Sequence, residues 1–194
     1  MRTKEGNKEQ DILKASIRIF SRTGYFDAKI HKIADEAGIA SGTVYLYFKN
    51  KEQILIRVFE LVWKNLFIII EKIDLEETEP VSKFHRMIDS VFDFFNADPE
   101  LATVFVNEQH HILKNSNKLL MSNYKKTLMI CENVLNEGIR CNVFNKEIDS
   151  AVFSSFFFGG IRYLLQQWAQ EQKKFGLLKI RENIKKLVLN GIAC

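Results

Sequence analysis

Apolar residues return every three to four positions along almost the whole 194-residue chain, and this one period leaves few folds open. Ile12, Leu13, Ile17 and Phe20 share a helical face, and Leu55, Val58, Phe59, Val62, Leu66, Ile69, Ile70 and Ile73 form a much longer stripe. No alternating pattern rivals it. Two prolines and nine glycines are too few for a turn-rich β fold or a disordered chain, so the reading is all-α.

The punctuation divides the pattern into successive helices. The first is expected from Lys8 to Thr23, closed by Gly24. A short one carries Ile30, Ile33, Ala34 and Ala37 up to Gly38, and another, which Ser41 can cap, runs through Phe48. Asn50 caps a long helix from Lys51 to Ile73, and Pro80 and Pro99 each sit well as the first residue of a new one. Three more are expected over about 116–140, 149–170 and 177–192, with 143–148 as a linker. The division expected from this pattern is a small domain over residues 1–54 and a larger one over 55–194.

Charge and cysteine content narrow the function classes. Residues 1–60 hold 11 Lys/Arg against 8 Asp/Glu, a net of +3, while 61–194 hold 17 against 16, so the surplus sits at the front. Cys131, Cys141 and Cys194 are odd in number and irregularly spaced, which suits neither a disulfide framework nor a zinc site and fits a cytoplasmic protein. The polar opening MRTKEGNKEQD has no signal-peptide character, and the longest apolar run, Leu66 to Ile70, is too short to span a bilayer, so no membrane partner is expected. Glu108 and His111 could reach one ion at i, i+3, but two ligands without a second pair do not make a metal site. There is no phosphate loop, nucleophile motif or cofactor signature, so catalysis is not expected.

Residues 30–48, IHKIADEAGIASGTVYLYF, contain the parts of a helix-turn-helix. Ala34 and Ala37 permit close helix approach, Gly38 permits the turn, and Ile33, Ile39, Val44 and Phe48 face inward. The outward face is then Ser41, Gly42, Thr43, Tyr45, Leu46 and Tyr47, whose hydroxyls and rings suit phosphates, base edges and thymine methyl groups. Lys29, His31, Lys32, Lys49 and Lys51 flank it, placed to meet phosphates. A helical hairpin with a solvated basic rim has a similar composition; the ordered spacing favours the DNA-binding motif.

The runs TGYFDAKIHKIADEAG and GIASGTVYLYFKNKEQIL closely resemble the DNA-binding domain of TetR-type regulators over about residues 8–60. The resemblance implies that Ser41, Gly42, Thr43 and Tyr45 face the major groove and that Tyr47 and Lys51 contact phosphates. Ile30 departs from the Ser or Thr that often caps the second helix in that family, and His31 is a candidate substitute contact. The YLYFKNKEQIL and NEQHHILKNSNKLL runs further resemble the acyl-CoA-responsive, FadR-like branch. That likeness implies a long-chain acyl-CoA effector, with Gln109, His110, Lys114 and Lys118 near the pocket mouth.

Thirteen of the sixteen phenylalanines lie at or after Phe59, and large rings around a helical interior can enclose a gap. Phe84, Met87, Phe92, Phe95, Phe105, Gln109, Tyr124, Phe153 and Phe157 are the candidate lining for a small apolar effector; a solid core is the competing reading. The resemblance also implies a homodimer, with Phe156, Gly160, Leu164, Trp168, Ile184, Leu187 and Val188 as candidate interface residues. The expected function is a ligand-responsive regulator, a repressor, on a palindromic double-stranded operator. A helical carrier of apolar ligands that ignores DNA is the alternative.

Overall fold

A computed structural model describes residues 8–114, 118–170 and 176–192. Among them the chain forms α1 (Lys8–Asp27), α2 (Ile30–Ala37), α3 (Ser41–Tyr47), α4 (Lys51–Glu76), α5 (Pro80–Asn96), α6 (Pro99–Lys114), α7 (Lys118–Arg140), α8 (Ser150–Gln170) and α9 (Leu177–Ile192). The all-α reading holds, and the proline and asparagine signals fall where the helices begin. The Asn50 side chain accepts from the Gln53 amide at 2.9 Å, and Pro80 occupies the first turn of α5. Asp98 and Asp149 cap α6 and α8 by accepting from the amides of Leu101 and Val152 at 2.9 and 2.8 Å.

Gly24 interrupts α1 with φ 75° and ψ 161°, and helical structure resumes for three residues after it. Gly38 closes α2 in the left-handed region at φ 67°. There the Ile39 amide reaches the Ala34 carbonyl at 3.0 Å and the Gly38 amide reaches Asp35 at 3.1 Å, the paired bonds that turn a chain sharply at a helix end. Ser41 departs from its expected role. It is the first residue of α3, while Ala40 holds the capping position and contributes no side-chain bond.

Helix α4 is the axis of the molecule. Its 26 residues span about 39 Å at 1.5 Å each. It buries Ile54, Leu55, Val58 and Phe59 at one end and Val62, Trp63, Leu66, Ile70 and Ile73 towards the other. One core therefore runs from Ile12, Ile33 and Val44 in the N-terminal region into Phe84, Phe92, Phe95 and Leu135 in the C-terminal one. A large aliphatic or aromatic side chain contributes about 1.5–3 kcal/mol when fully buried, so this stripe makes α4 a rigid connection between the two ends.

Two features fix the far end. Lys83 of α5 is buried and donates to Asp74 of α4 at 3.0 Å and to Glu137 of α7 at 2.8 Å. Burial pulls its ammonium down, but the two carboxylates outweigh that and hold it above the ordinary lysine range. Gly138 lies against the Phe144 ring, and a methyl group at that position would stand 2.1 Å from a ring carbon. Glycine is required there by closeness, since no positive φ is involved.

Candidate functional site

The N-terminal region presents α3 outward. Val44 and Phe48 are buried beneath it, together with Ile33 and Ala34 of α2, while Tyr45, Leu46 and Tyr47 are 56%, 82% and 46% exposed. Gly42 is exposed beside them, and Ser41 and Thr43 are half-buried at the start of the helix. Lys29, His31, Lys32 and Lys49 are exposed around this face. An exposed leucine between two exposed tyrosines is costly in water unless something covers it, and base edges and sugar rings are suitable partners. The α2 start has Lys29 in the capping position without a side-chain bond, consistent with Ile30 standing where a hydroxyl would otherwise serve.

Lys51 is placed differently from the expectation. Its Nζ donates to the carbonyls of Tyr25, Phe26 and Ala28 at 2.8, 2.6 and 3.2 Å, and it lies 4.7 Å from the centre of the Tyr25 ring. An ammonium has three N–H donors, and all three are used. The side chain ties the bend between α1 and α2 together by giving three of its carbonyls a donor. It is therefore a strut for the bend that leads into α2 and α3 in this structure. The family pattern pointed to phosphate; the open carbonyls of the Gly24–Ala28 bend, invisible as a pattern, are what draw it inward.

The same bend is tied to the C-terminal region. The Tyr25 amide donates to the buried Glu108 carboxylate of α6 at 3.3 Å. Burial, then Glu52 and Glu108, push the Tyr25 hydroxyl above its ordinary range. Arg22 of α1 reaches Glu36 of α2 at 3.4 Å and Glu100 of α6 at 3.6 Å. Glu100 and Glu108, two turns apart on α6, thus hold α1 and the bend that follows it.

Between α4, α5, α6, α7 and α8 lies a cavity of about 300 Å³. That is at the lower end of ordinary small-molecule sites, about 300–1,000 Å³. Phe95, Phe105 and Tyr124, three of the expected residues, line it. Phe105 joins the wall together, stacking on Phe59 at 5.4 Å and packing on Trp63 at 5.6 Å and Phe95 at 4.8 Å. Tyr124 meets Trp63 edge-on at 4.8 Å, and its burial raises the phenol pKa.

The other expected pocket residues lie elsewhere. Phe84, Met87 and Phe92 are buried in the solid core, with Phe84 packed edge-on against Phe144, Phe153 and Phe157. Phe153 and Phe157 instead border a second depression of about 550 Å³ together with Phe156, Leu187 and Val188. Four of the α8 residues that face the cavity, Ser155, Phe158, Gly159 and Arg162, are spaced i, i+3, i+4 and i+7. That spacing was present in the sequence, but the heavier phenylalanine stripe beside it drew the assignment. Trp63, Leu66, Ile70, Val91, Thr127, Ile161 and Leu165 complete the lining and were also missed. The side chains of Gln109, His110, His111, Lys114 and Lys118 lie outside the described residues.

Of the expected interface residues, Phe156 and Leu187 are 78% and 73% exposed on the outer face of α8 and α9. Val188 and Gly160 are half-buried near them, and Leu164 packs partly on the core. Trp168 and Ile184 depart from the expectation: both are buried against the core of their own protomer and offer a partner little surface. A stripe with apolar residues on more than half its circumference must bury one side in its own chain, and periodicity alone does not choose which.

No described helix is long and apolar enough to cross a membrane, and the described residues hold no group of three or more metal-ligating side chains. A short exposed helix braced by a tight turn, joined through one long helix to a cavity-bearing bundle, defines a helix-turn-helix regulator with a sensing region. Comparison with known proteins carries this further. Residues 12–58 match the family described as bacterial regulatory proteins, tetR family, and residues 63–191 match the C-terminal region of YsiA-like proteins. The chain belongs to the TetR family of DNA-binding transcriptional regulators. The fatty acid metabolism regulator protein of Bacillus subtilis is 28% identical over 185 residues, which cover 95% of each chain. Among solved structures, the fatty acid degradation regulator FadR of Bacillus halodurans superposes with a TM-score of 0.84 at 28% identity, covering 96% of this chain and 97% of that one. FadR of Bacillus subtilis, solved in complex with stearoyl-CoA, gives 0.81 at 29% identity, covering 94% and 98%.

Proposed function

We propose that the chain is a cytoplasmic, homodimeric repressor that leaves a palindromic operator when a long-chain acyl-CoA enters the cavity. Residues 1–54 serve as the DNA-binding domain and 55–194 as the effector-binding and dimerisation domain. The observation that carries this reading is that the cavity wall is built on the helices that hold the DNA-facing unit. Phe105 lines the cavity on α6, and Glu108, one turn further along the same helix, accepts from the Tyr25 amide. Trp63 and Leu66 line it on α4, whose first turn carries Lys51. A ligand that moves α6 or the base of α4 therefore moves α1 to α3 with it. The likeness over nearly the full length to FadR of Bacillus subtilis, which binds stearoyl-CoA, supports the effector class.

In this reading Ser41, Gly42, Thr43, Tyr45 and Leu46 enter the major groove, and Tyr47, Lys29 and His31 meet phosphates. Phe156, Leu187 and Val188 form the centre of the interface, where the α8–α9 depression of one protomer receives the other. A two-fold dimer sets its reading helices about 34–36 Å apart, one turn of B-DNA, and effector binding alters that distance. A coupling of about 1–3 kcal/mol between the sites is the usual size for such a switch.

A gel-shift titration tests both halves. The protein is mixed with duplexes from upstream of its own gene, with and without stearoyl-CoA. A retarded complex that stearoyl-CoA dissolves is expected. Absence of any sequence-dependent complex would refute the regulator role, and a complex indifferent to saturating stearoyl-CoA would refute the effector.

A further inference from the structure

Six lysines and arginines among the described residues have half-buried or buried side chains, and five of them are held by protein acceptors. Lys51 has three carbonyls. Arg57 pairs with Glu9 and Glu60, Lys83 with Asp74 and Glu137, and Arg181 and Lys185 both pair with Asp89. Arg162 is the sixth. It lines the effector cavity, and no described residue pairs with it.

A guanidinium carries five N–H donors and no acceptor, and leaving it partly desolvated without a partner costs free energy. Trp63 lines the same cavity, and its side chain carries a second unmatched donor. The Trp63 side chain is 3% exposed, and its Nε1 is buried without an acceptor. No carboxylate lines the cavity among the described residues. Its other polar groups are the hydroxyls of Tyr124, Thr127 and Ser155, and Thr127 already donates to the Asn123 carbonyl at 2.9 Å.

The two donors divide the cavity by depth. Ser155 and Gly159, on the same α8 face as Arg162, are exposed and form the rim, whereas Trp63, Phe95, Phe105 and Leu165 are buried and form the floor. A ligand matched to this arrangement has an apolar body, an acceptor deep enough for the indole N–H, and negative charge near the rim.

We propose that Arg162 is the residue that reads the charge of the effector, and that Trp63 donates to its acyl oxygen. The effector is then an anionic acyl chain, and a neutral lipid of the same length is excluded. This rests on the acyl-effector reading given above. Two sources share the chemistry: a free fatty acid, whose carboxylate would meet Arg162, and an acyl-CoA, whose thioester oxygen would meet Trp63 while a coenzyme phosphate meets Arg162.

The test uses the full-length protein and its R162Q, R162K and W63F variants. Binding of stearate, stearoyl-CoA and octadecanol is measured by calorimetry, alongside operator release and size-exclusion chromatography. The wild type is expected to bind stearate or stearoyl-CoA at least about tenfold more tightly than octadecanol, the scale of one charge-assisted bond. R162Q should lose that preference, R162K should recover much of it, and W63F should weaken stearoyl-CoA, whose thioester oxygen loses its donor, while the preference for an anion over octadecanol is kept. Whichever anion wins identifies the source. Equal binding of octadecanol and the anions, or R162Q binding like wild type, overturns the proposal while the acyl-effector reading stands. If R162Q becomes monomeric with its preference intact, Arg162 belongs to the interface and the proposal fails. Should none of the three probes bind or release operator, the acyl-effector reading itself falls and takes this inference with it.

Discussion

Replacing Lys51 with methionine removes the ammonium while keeping most of the apolar stem. The lost contacts are the hydrogen bonds to the carbonyls of Tyr25, Phe26 and Ala28 and the approach to the Tyr25 ring. Hydrogen bonds to charged groups contribute about 1.5–3 kcal/mol each when well protected, and a cation over an aromatic ring about 0.5–1 kcal/mol at an exposed site. The Phe26 bond is exposed, so water can replace it, whereas those to Tyr25 and Ala28 are partly buried. Discounting for solvent and for the cost of restraining the lysine leaves about 2–4 kcal/mol. Thermal or urea unfolding at fixed protein concentration should show that loss, because the stability of a dimer depends on concentration. Operator affinity should fall as well, since the bend that leads into α2 and α3 loosens, but the slope of log affinity against log salt should stay unchanged. Each phosphate contact contributes a slope of about −0.9, so a direct contact would leave a measurable deficit. A K51M protein as stable as wild type, with a shallower salt slope, would refute the strut and return Lys51 to the phosphate.

Three further outcomes follow from named contacts. Gly138→Ala should destabilise by about 1–3 kcal/mol or more through overpacking, and Phe144→Leu in the same chain should recover part of it, as read by a double-mutant cycle. Phe156→Glu combined with Leu187→Glu should yield a monomer by sedimentation with its helical spectrum retained, because both side chains are exposed in the protomer; an unaltered dimer would put the interface elsewhere. Burial pushes the Cys131 thiol up to about 12, so at pH 8 peptide mapping after alkylation should find Cys141 modified and Cys131 protected until the protein is unfolded. The linked stability runs downward with pH: the unfolded thiol ionises near about 8.5 while the folded one keeps its proton, so the contribution is intact below that value and erodes above it.

Helix identity and order were legible because their causes are local. Asn50, Asp98, Asp149, Pro80 and Pro99 mark helix starts through hydrogen bonds or ring geometry that involve only a few neighbours. Gly38 likewise turns the chain by its own left-handed conformation. The spacing of Ile33, Ala34, Val44 and Phe48 fixed which side of α3 faces out, since a short amphipathic helix has only one apolar side to bury.

The sequence by itself determined an all-helical chain, the helix-turn-helix and its exposed tyrosines, because each depends on residues a few positions apart. Only the tertiary structure decided that Lys51 serves the Gly24–Ala28 bend, that Phe153 and Phe157 pack on Phe84 while Ser155 and Arg162 face the cavity, and that Trp168 and Ile184 stay within the protomer. The physical reason is that α8 is apolar on more than one side, so its rotation is set by whichever packing with α5, α6, α7 and α9 buries the most surface. Which donor goes unpaired likewise depends on carboxylates and carbonyls contributed by other helices, and periodicity carries no information about those.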